Sequence, residues 1–167
     1  MVQQSILVID DQPVYRDAIR EKLANAFAPN GVSVKAVGSA HEGLDCVDQA
    51  SQTAWLIVLD ILMPGLDGHA VLEELKADES LRHLPVIMIS AYGDASTIAI
   101  ALERGAVRFL TKPVDSQFWV SMRRFNFDQI GMFLVGVGMV ALGIAQANLH
   151  PSPLQWFGYL VLILASL

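Results

Sequence analysis

Three aspartates stand at the ends of two short apolar runs. Asp10 and Asp11 follow Ile6–Ile9, and Asp60 follows Trp55–Leu59. If these runs are neighbouring strands of a parallel sheet, the three carboxylates lie together at its carboxyl edge. Such a cluster of negative charge is unfavourable unless a cation neutralises it, and oxygen ligands of this kind suit Mg²⁺. The alternative interpretation is that the aspartates only cap the helix and the loop that follow.

Two more polar side chains follow the next apolar runs. Ser90 comes after Val86–Ile89, and Lys112 comes after Val107–Leu110. A carboxylate that attacks a phosphoryl group needs in-line positioning, together with positive charge or hydrogen-bond donors on the equatorial oxygens. Mg²⁺, Ser90 and Lys112 would each supply one such contact. Taken singly, Ser90 could be only a turn former and Lys112 only a solvated lysine.

Short apolar runs and longer helical segments alternate along the chain, which is typical of βα units on a parallel sheet. The sequence therefore predicts an α/β fold with five strands, each apolar enough to be buried on both faces. The predicted strands are Ile6–Ile9, Val32–Val37, Trp55–Leu59, Val86–Ile89 and Val107–Leu110. The predicted helices are residues 13–28, a helix after Ser39, and residues 69–77, 95–104 and 115–125. Ser39 and Glu42 are placed for a capping box, and Gly105 for a helix stop.

Four segments resemble the motifs of response-regulator receiver domains of the chemotaxis type. In chain order they are ILVIDD, VLDILMPGLDG, MISA and FLTKPVD. The resemblance covers residues 4–126 and implies a flavodoxin-like, doubly wound sheet with strand order 2-1-3-4-5. It also implies a phosphorylation-dependent switch of a two-component phosphorelay. Such a switch catalyses its own phosphoryl transfer, and we find no output enzyme motif in the sequence.

The resemblance assigns roles to the acidic residues by position. It implies that Asp60 accepts the phosphoryl group. Asp11, Asp60 and the backbone carbonyl of Leu62 would ligate Mg²⁺, and Asp10 would assist through water.

The same resemblance assigns the remaining site residues. Ser90 and Lys112 would bind the phosphoryl oxygens, and the Lys112–Pro113 peptide bond is expected to be cis. Phe109 would act with Ser90 as the switch and turn inward on phosphorylation. Simple core packing is the alternative for Phe109.

Leu62 and Tyr92 lie two residues beyond the acceptor and the switch hydroxyl. Both are bulkier and less polar than a group that could orient an attacking water. We therefore expect the phosphorylated form to be long-lived.

Charge divides the chain into two parts. Every Lys, Arg, Asp and Glu lies at or before Asp128. We therefore predict a receiver domain at residues 1–126 and a hydrophobic tail at residues 127–167. The net charge of −6 belongs to the first part and disfavours direct contact with nucleic acid, which requires clustered basic residues. The N-terminus has no features of a cleavable signal peptide, so the receiver is predicted to be cytoplasmic.

The tail is apolar enough for a membrane. Residues 130–147 are predicted to form a transmembrane helix, and residues 154–167 are a shorter, partial second segment. Arg123 and Arg124 precede the first segment, which favours a cytoplasmic receiver anchored in the inner, cytoplasmic membrane. The alternative is a hydrophobic helical hairpin that packs on the receiver or mediates dimerisation.

Three functional hypotheses follow. The first is a membrane-tethered switch that receives its phosphoryl group from a histidine kinase, a phosphotransfer protein or a small phosphodonor. The second is the N-terminal input module of a larger membrane enzyme or sensor kinase. The third is a soluble receiver whose tail serves only for oligomerisation, for instance as a homodimer.

Overall fold

The computed structural model of the protein describes residues 4–50 and 54–122. In this part of the chain, strands and helices alternate as the sequence predicts, and most of their ends lie within one residue of the predicted ones. The strands are β1 Ser5–Ile9, β2 Ser33–Val37, β3 Ala54–Asp60, β4 Val86–Ser90 and β5 Arg108–Thr111. The helices are α1 Pro13–Phe27, α2 Ala40–Ala50, α3 Gly68–Ala77, α4 Ala95–Glu103 and α5 Ser116–Met122, with a 3₁₀ turn at Ala28–Asn30.

The five strands form one parallel sheet in the order β2-β1-β3-β4-β5, which confirms the predicted topology. Strand β1 ends one residue short of the end of β3, because its last residue, Ile9, pairs with Leu59. On the other side of β3, Asp60 pairs with Ile89. The carboxyl ends of β1, β3 and β4 therefore meet at one edge of the sheet, which is where ligands bind in open α/β folds.

The central strands are buried, but the edge strands are not. Every residue of β4 is buried, as are residues 56–60 of β3. In β2, Ser33 and Lys35 are exposed, and in β5 Thr111 is exposed and the other three residues are half-buried. The prediction that all five strands are buried on both faces is therefore wrong for β2 and β5. Each of these strands has a neighbour on one side only, so part of it faces solvent.

Helices packed on the sheet complete the core that the central strands begin. In α1 the buried residues include the stripe Ile19, Leu23 and Phe27, and α5 buries Trp119 and Met122. Complete burial of an Ile, Leu, Phe or Met side chain contributes about 1.5–3 kcal/mol. The apolar periodicity of the helices thus fixes them against the sheet and leaves the loops at its carboxyl edge to carry the polar residues.

Two aspartates cap the helices that begin near this edge. Asp67 precedes α3 and accepts a hydrogen bond from the Ala70 amide at 2.9 Å. Asp94 precedes α4 and accepts from the amides of Ser96 and Thr97, both at 3.0 Å. Helix α4 ends at Glu103, just before the predicted stop Gly105, whose φ of 97° suits glycine.

The predicted capping box of α2 forms with a shift of one residue. Ser39 Oγ accepts from the Glu42 amide at 3.3 Å. The Glu42 carboxylate reaches back to the amide of Gly38, at 3.1 Å, instead of the amide of Ser39. The loop between β2 and α2 is therefore held at Gly38.

The predicted hydrophobic helices at residues 130–147 and 154–167, and the boundary at residue 126, lie outside the described residues. Among the residues that are described, no helix combines the length and the apolar character needed to cross a bilayer.

Candidate functional site

The three aspartates at the carboxyl edge come together as the sequence predicts. One carboxylate oxygen from each of Asp10, Asp11 and Asp60 lies within 4.8 Å of the other two. Asp10 and Asp60 are 0% and 1% exposed, respectively. A cap of a surface helix does not require such burial, so capping alone does not account for Asp10 and Asp60.

Lys112 joins two of the three carboxylates. Its Nζ lies 2.7 Å from Asp10 Oδ2 and 3.1 Å from Asp60 Oδ2, and its side chain is only 2% exposed. The ammonium also lies over the ring of Tyr15 on α1, 4.7 Å from the ring centroid. Lys112 is therefore a buried partner of the acidic residues and not a solvated surface lysine. The Lys112–Pro113 peptide bond is cis, which confirms the expectation.

The two neighbouring aspartates of the first motif are held differently. Asp10 Oδ1 accepts from the Gln12 amide at 2.9 Å, and its other oxygen meets Lys112. In contrast, no hydrogen-bond donor among the described residues reaches the buried Oδ1 of Asp11. An orphaned, buried carboxylate oxygen is unfavourable, because it has lost water without gaining a partner.

The electrostatics of Asp60 reflect this crowding. Burial raises the pKa of its carboxyl to about 6, and the negative charge of Asp10 adds to the effect, while Lys112 opposes it. A single lysine therefore does not compensate for the carboxylates around it. The arrangement calls for further positive charge close to Asp60.

A divalent cation fits this need. Mg²⁺ takes one or two carboxylates at short distance and keeps several waters, so it requires oxygen atoms that face a common point. The grouped oxygens of the three aspartates, and the orphaned oxygen of Asp11 in particular, meet that requirement. The position of the Leu62 carbonyl as a fourth ligand stays a prediction; the residue itself is 49% exposed.

Ser90 and Phe109 lie on the last two strands. Ser90 ends β4, is 1% exposed, and its Oγ accepts from the Tyr92 amide at 3.1 Å. Phe109 lies on β5, half-buried, and packs against the hydrophobic core. Its role as a switch stays a prediction.

Two residues that the sequence interpretation did not single out contact the site. Gly68 begins α3, and its amide donates to the Ile61 carbonyl at 2.8 Å. A side chain at Gly68 would collide with the backbone carbonyl of Asp60. Arg16 on α1 donates from Nη1 to the Asp10 carbonyl at 3.1 Å. The glycine that ends VLDILMPGLDG and an arginine one turn into the helix after the aspartates are the signals that could have indicated them.

Two family models match the chain. The model described as "Response regulator receiver domain" matches residues 6–122. A second, described as "ABC-2 family transporter protein", matches residues 85–167 and so shares residues 85–122 with the first.

Individual proteins agree with the first match. The chain is 32% identical over 151 residues to a protein-glutamate methylesterase/protein-glutamine glutaminase of Myxococcus xanthus, covering 89% of this chain and 40% of that protein. It is 35% identical over 111 residues to the response regulator PleD of Caulobacter vibrioides, covering 66% of this chain and 23% of that protein. The chain thus spans less than half the length of both relatives.

A solved structure has the same fold. It is a response regulator receiver domain protein from Clostridium thermocellum, 25% identical to this chain, with a TM-score of 0.60. The match covers 83% of this chain and 98% of that one.

Proposed function

Because the chain belongs to the response regulator receiver family, we propose that it is a switch of a two-component phosphorelay whose phosphoryl acceptor is Asp60. The observation that carries this assignment is the position of the Asp60 carboxylate. One of its oxygens lies within 4.8 Å of an oxygen of Asp10 and of Asp11, and its Oδ2 is 3.1 Å from the Lys112 ammonium, which also contacts Asp10. A phosphoryl group on Asp60 would therefore lie close to both a cation site and a fixed positive charge.

The chemistry needs little covalent help from the protein. A carboxylate oxygen of Asp60 attacks the phosphorus of a phosphorylated imidazole, on a histidine kinase or a phosphotransfer protein. The new oxygen–phosphorus bond forms as the phosphorus–nitrogen bond breaks, and the imidazole leaves with the bonding electrons and takes up a proton. A small phosphodonor such as acetyl phosphate would react in the same way, with acetate as the leaving group.

The side chains around Asp60 stabilise the charge on the transferring group. Lys112 exchanges its ion pair with Asp60 for a phosphoryl oxygen, and Ser90 Oγ donates to another. Bound Mg²⁺, held by Asp11, Asp60 and the Leu62 carbonyl with Asp10 behind a water, would supply positive charge to the phosphoryl oxygens.

Movement of Ser90 would carry the signal outward. Its Oγ accepts from the Tyr92 amide, so a Ser90 that turns to the phosphoryl group withdraws from the start of the loop before α4. That loop packs on β5: a Cβ at Gly93 would lie 2.6 Å from Thr111 Oγ1 and 3.4 Å from Phe109 Cε1. A shift of the loop would therefore free space for the Phe109 ring to turn inward.

We further propose that the phosphorylated form persists for minutes or longer. Leu62 and Tyr92, two residues beyond the acceptor and the switch hydroxyl, are 49% and 69% exposed and carry an aliphatic and an aromatic side chain. Release of inorganic phosphate from the isolated phosphoprotein measures the lifetime, and complete loss within seconds would contradict this proposal.

A membrane tether completes the proposal. The absence of Lys, Arg, Asp and Glu from residues 129–167 supports it, and so does the transporter family match at residues 85–167. The receiver would then be cytoplasmic and anchored through residues 127–167. The same two observations also suit an input module of a larger membrane enzyme or sensor kinase. A tail that serves only to join two copies of the chain would require neither a membrane nor additional protein sequence.

Phosphate uptake tests the acceptor. The full chain is incubated with acetyl phosphate and Mg²⁺, and acid-labile phosphate is measured on the protein. Asp60→Asn should abolish uptake, whereas Asp45→Asn, an exposed aspartate on α2, should leave it unchanged. Uptake that survives in Asp60→Asn would refute the assignment.

Membrane fractionation tests the tether. The full chain should sediment with membranes and be released by detergent, and a chain that ends at residue 126 should remain in the supernatant. A full chain that stays in the supernatant as a dimer would favour the oligomerisation role of the tail. The reading frame beyond Leu167 would decide between a tethered switch and an input module.

A further inference from the structure

Asp10 and Asp11 differ in what fixes their carboxylates. Both oxygens of Asp10 meet protein groups, the Gln12 amide and the Lys112 ammonium. The buried Oδ1 of Asp11 meets no hydrogen-bond donor in the described part of the chain. The direction of the Asp11 side chain therefore depends on how its backbone is held.

Arg16 holds that backbone. Its Nη1 donates to the carbonyl of Asp10 at 3.1 Å, and this carbonyl belongs to the peptide group that joins Asp10 to Asp11. The peptide group on the other side of Asp10 is fixed as well, because the Asp10 amide donates to Val37 at the end of β2 at 3.2 Å. Arg16 itself is anchored in the first turn of α1, where its amide donates to Gln12 at 3.0 Å.

The loop between β2 and α2 confines the guanidinium from the other side. A Cβ at Gly38 would lie 2.9 Å from Arg16 Nη1 and 3.7 Å from Cζ. Only a residue without a side chain leaves this space free, and the Glu42 carboxylate fixes the Gly38 amide at 3.1 Å. Arg16 thus lies between the Asp10 carbonyl and a loop that is held against it.

We infer that Arg16 is a positioning residue: it fixes the peptide group before Asp11 and so aims the Asp11 carboxylate, whose buried Oδ1 has no donor within the described residues, at the cation site. The inference rests on the proposed Mg²⁺ site at Asp10, Asp11 and Asp60. Groups that orient metal ligands from behind usually affect metal affinity by about 10–100-fold. Arg16 contacts the backbone before Asp11 and not the Asp11 carboxylate itself, so we expect its effect at the lower end of that range.

Calorimetric titration of the full chain with MgCl₂, in a non-ionic detergent, measures the affinity directly. Arg16→Ala should weaken Mg²⁺ binding by about tenfold. In the acetyl phosphate reaction the same variant should need more Mg²⁺ but reach close to the wild-type rate at saturation, because the phosphoryl-binding residues are unchanged. Arg20→Ala removes an exposed arginine one turn further along α1, paired only loosely with Asp17 at 3.8 Å, and should bind Mg²⁺ as the wild type does.

Gly38→Ala provides a second test that keeps the charge of Arg16. The added methyl should displace the guanidinium from the Asp10 carbonyl and weaken Mg²⁺ binding by about threefold or more. Arg16→Lys, which retains a donor and a charge on a shorter reach, should bind better than Arg16→Ala. Gly38→Ala and Arg16→Lys are smaller changes than Arg16→Ala. If Arg16→Ala fails to fold, these two variants can still refute the inference.

The outcomes separate the inference from the function on which it rests. A wild-type chain that neither binds Mg²⁺ nor takes up phosphate overturns both. A wild-type chain that does both, while Arg16→Ala and Gly38→Ala bind Mg²⁺ within twofold of it, overturns only the role of Arg16.

Discussion

Asp94 and Asp60 are the same residue type in opposite surroundings. Asp94 stands at the surface before α4, where its carboxylate accepts from the amides and hydroxyls of Ser96 and Thr97. These donors, the Ser96 hydroxyl first, hold the pKa of the Asp94 carboxyl well below its usual range. Asp60 lies buried among other carboxylates, and burial raises its pKa to about 6.

The difference distinguishes an aspartate whose charge stabilises the folded state from one whose charge destabilises it. At neutral pH the donors around Asp94 favour its charged form in the folded state, so ionisation of Asp94 adds to stability. Ionisation of Asp60 subtracts from stability, because the folded state binds its proton more tightly than the unfolded state does. An acidic residue whose charge destabilises the folded state is expected where a bound cation or a reacting group requires that charge.

Among the substitutions that test this comparison, removal of the Lys112 charge should change the free energy of unfolding most. Lys112→Met leaves Asp10 and Asp60 buried without their ammonium, and loss of one partner of a buried ion pair is worth about 3–5 kcal/mol. Chemical denaturation of the Mg²⁺-free full chain should therefore show a loss of that order, and Mg²⁺ should recover part of it. Lys35→Met, at an exposed lysine of β2, is the matched control and should change stability little. Equal stability of the two variants would contradict the buried ion pairs.

Neutralising the acceptor should act in the opposite direction. Asp60→Asn should stabilise the Mg²⁺-free protein at pH 7–8, by about 1–3 kcal/mol, since it removes the penalty of ionising a carboxyl whose pKa is about 6 instead of 3.8. In the wild type this penalty is small below pH 4, grows between pH 4 and pH 6, and is fully present above the folded-state pKa of about 6. Denaturation curves of both proteins from pH 4 to pH 8 should therefore coincide at the acidic end and diverge towards neutrality. A gap that narrows with rising pH would contradict the account.

Loss of the surface cap should give a smaller effect with the reverse pH dependence. Asp94→Ala removes the acceptor for the first amides of α4 and should lower the melting temperature at pH 7 by about 4 °C. Because the pKa of Asp94 is depressed in the folded state, its contribution is present above the ordinary value of 3.8 and is lost as the pH falls below it. The difference from the wild type should be the same with and without Mg²⁺, as thermal melts can show; a Mg²⁺-dependent difference would place Asp94 in the site.

The ring of Tyr15 should matter least. It covers the Lys112 ammonium at 4.7 Å, and such a contact contributes about 0.5–1 kcal/mol. Tyr15→Leu should lose this amount in denaturation experiments, whereas Tyr15→Phe, which keeps the ring, should retain it. Identical losses in both variants would assign the effect to the hydroxyl.

Much of the fold could be predicted from the sequence, because the strands and helices follow local periodicity. The approach of Asp10, Asp11 and Asp60 also followed from the rule that parallel strands bring their carboxyl ends together. The apolar runs alone do not show that β2 and β5 are partly exposed, although the strand order 2-1-3-4-5 that the resemblance implies already places both strands at the edges of the sheet. Gly68 and Arg16 were missed because their contacts depend on how the chain turns after a strand, which brings Gly68 against the Asp60 carbonyl and the Arg16 guanidinium back to the Asp10 carbonyl.

The position of the phosphoryl group tests the central claim most directly. The full chain is phosphorylated with acetyl phosphate and Mg²⁺, and the acyl phosphate is reduced with borohydride, which converts a phosphorylated aspartate into homoserine. Tandem mass spectrometry of the peptides then locates the modified residue. We predict homoserine at position 60 and at no other aspartate. Homoserine at position 10 or 11 with an intact Asp60 would contradict the account.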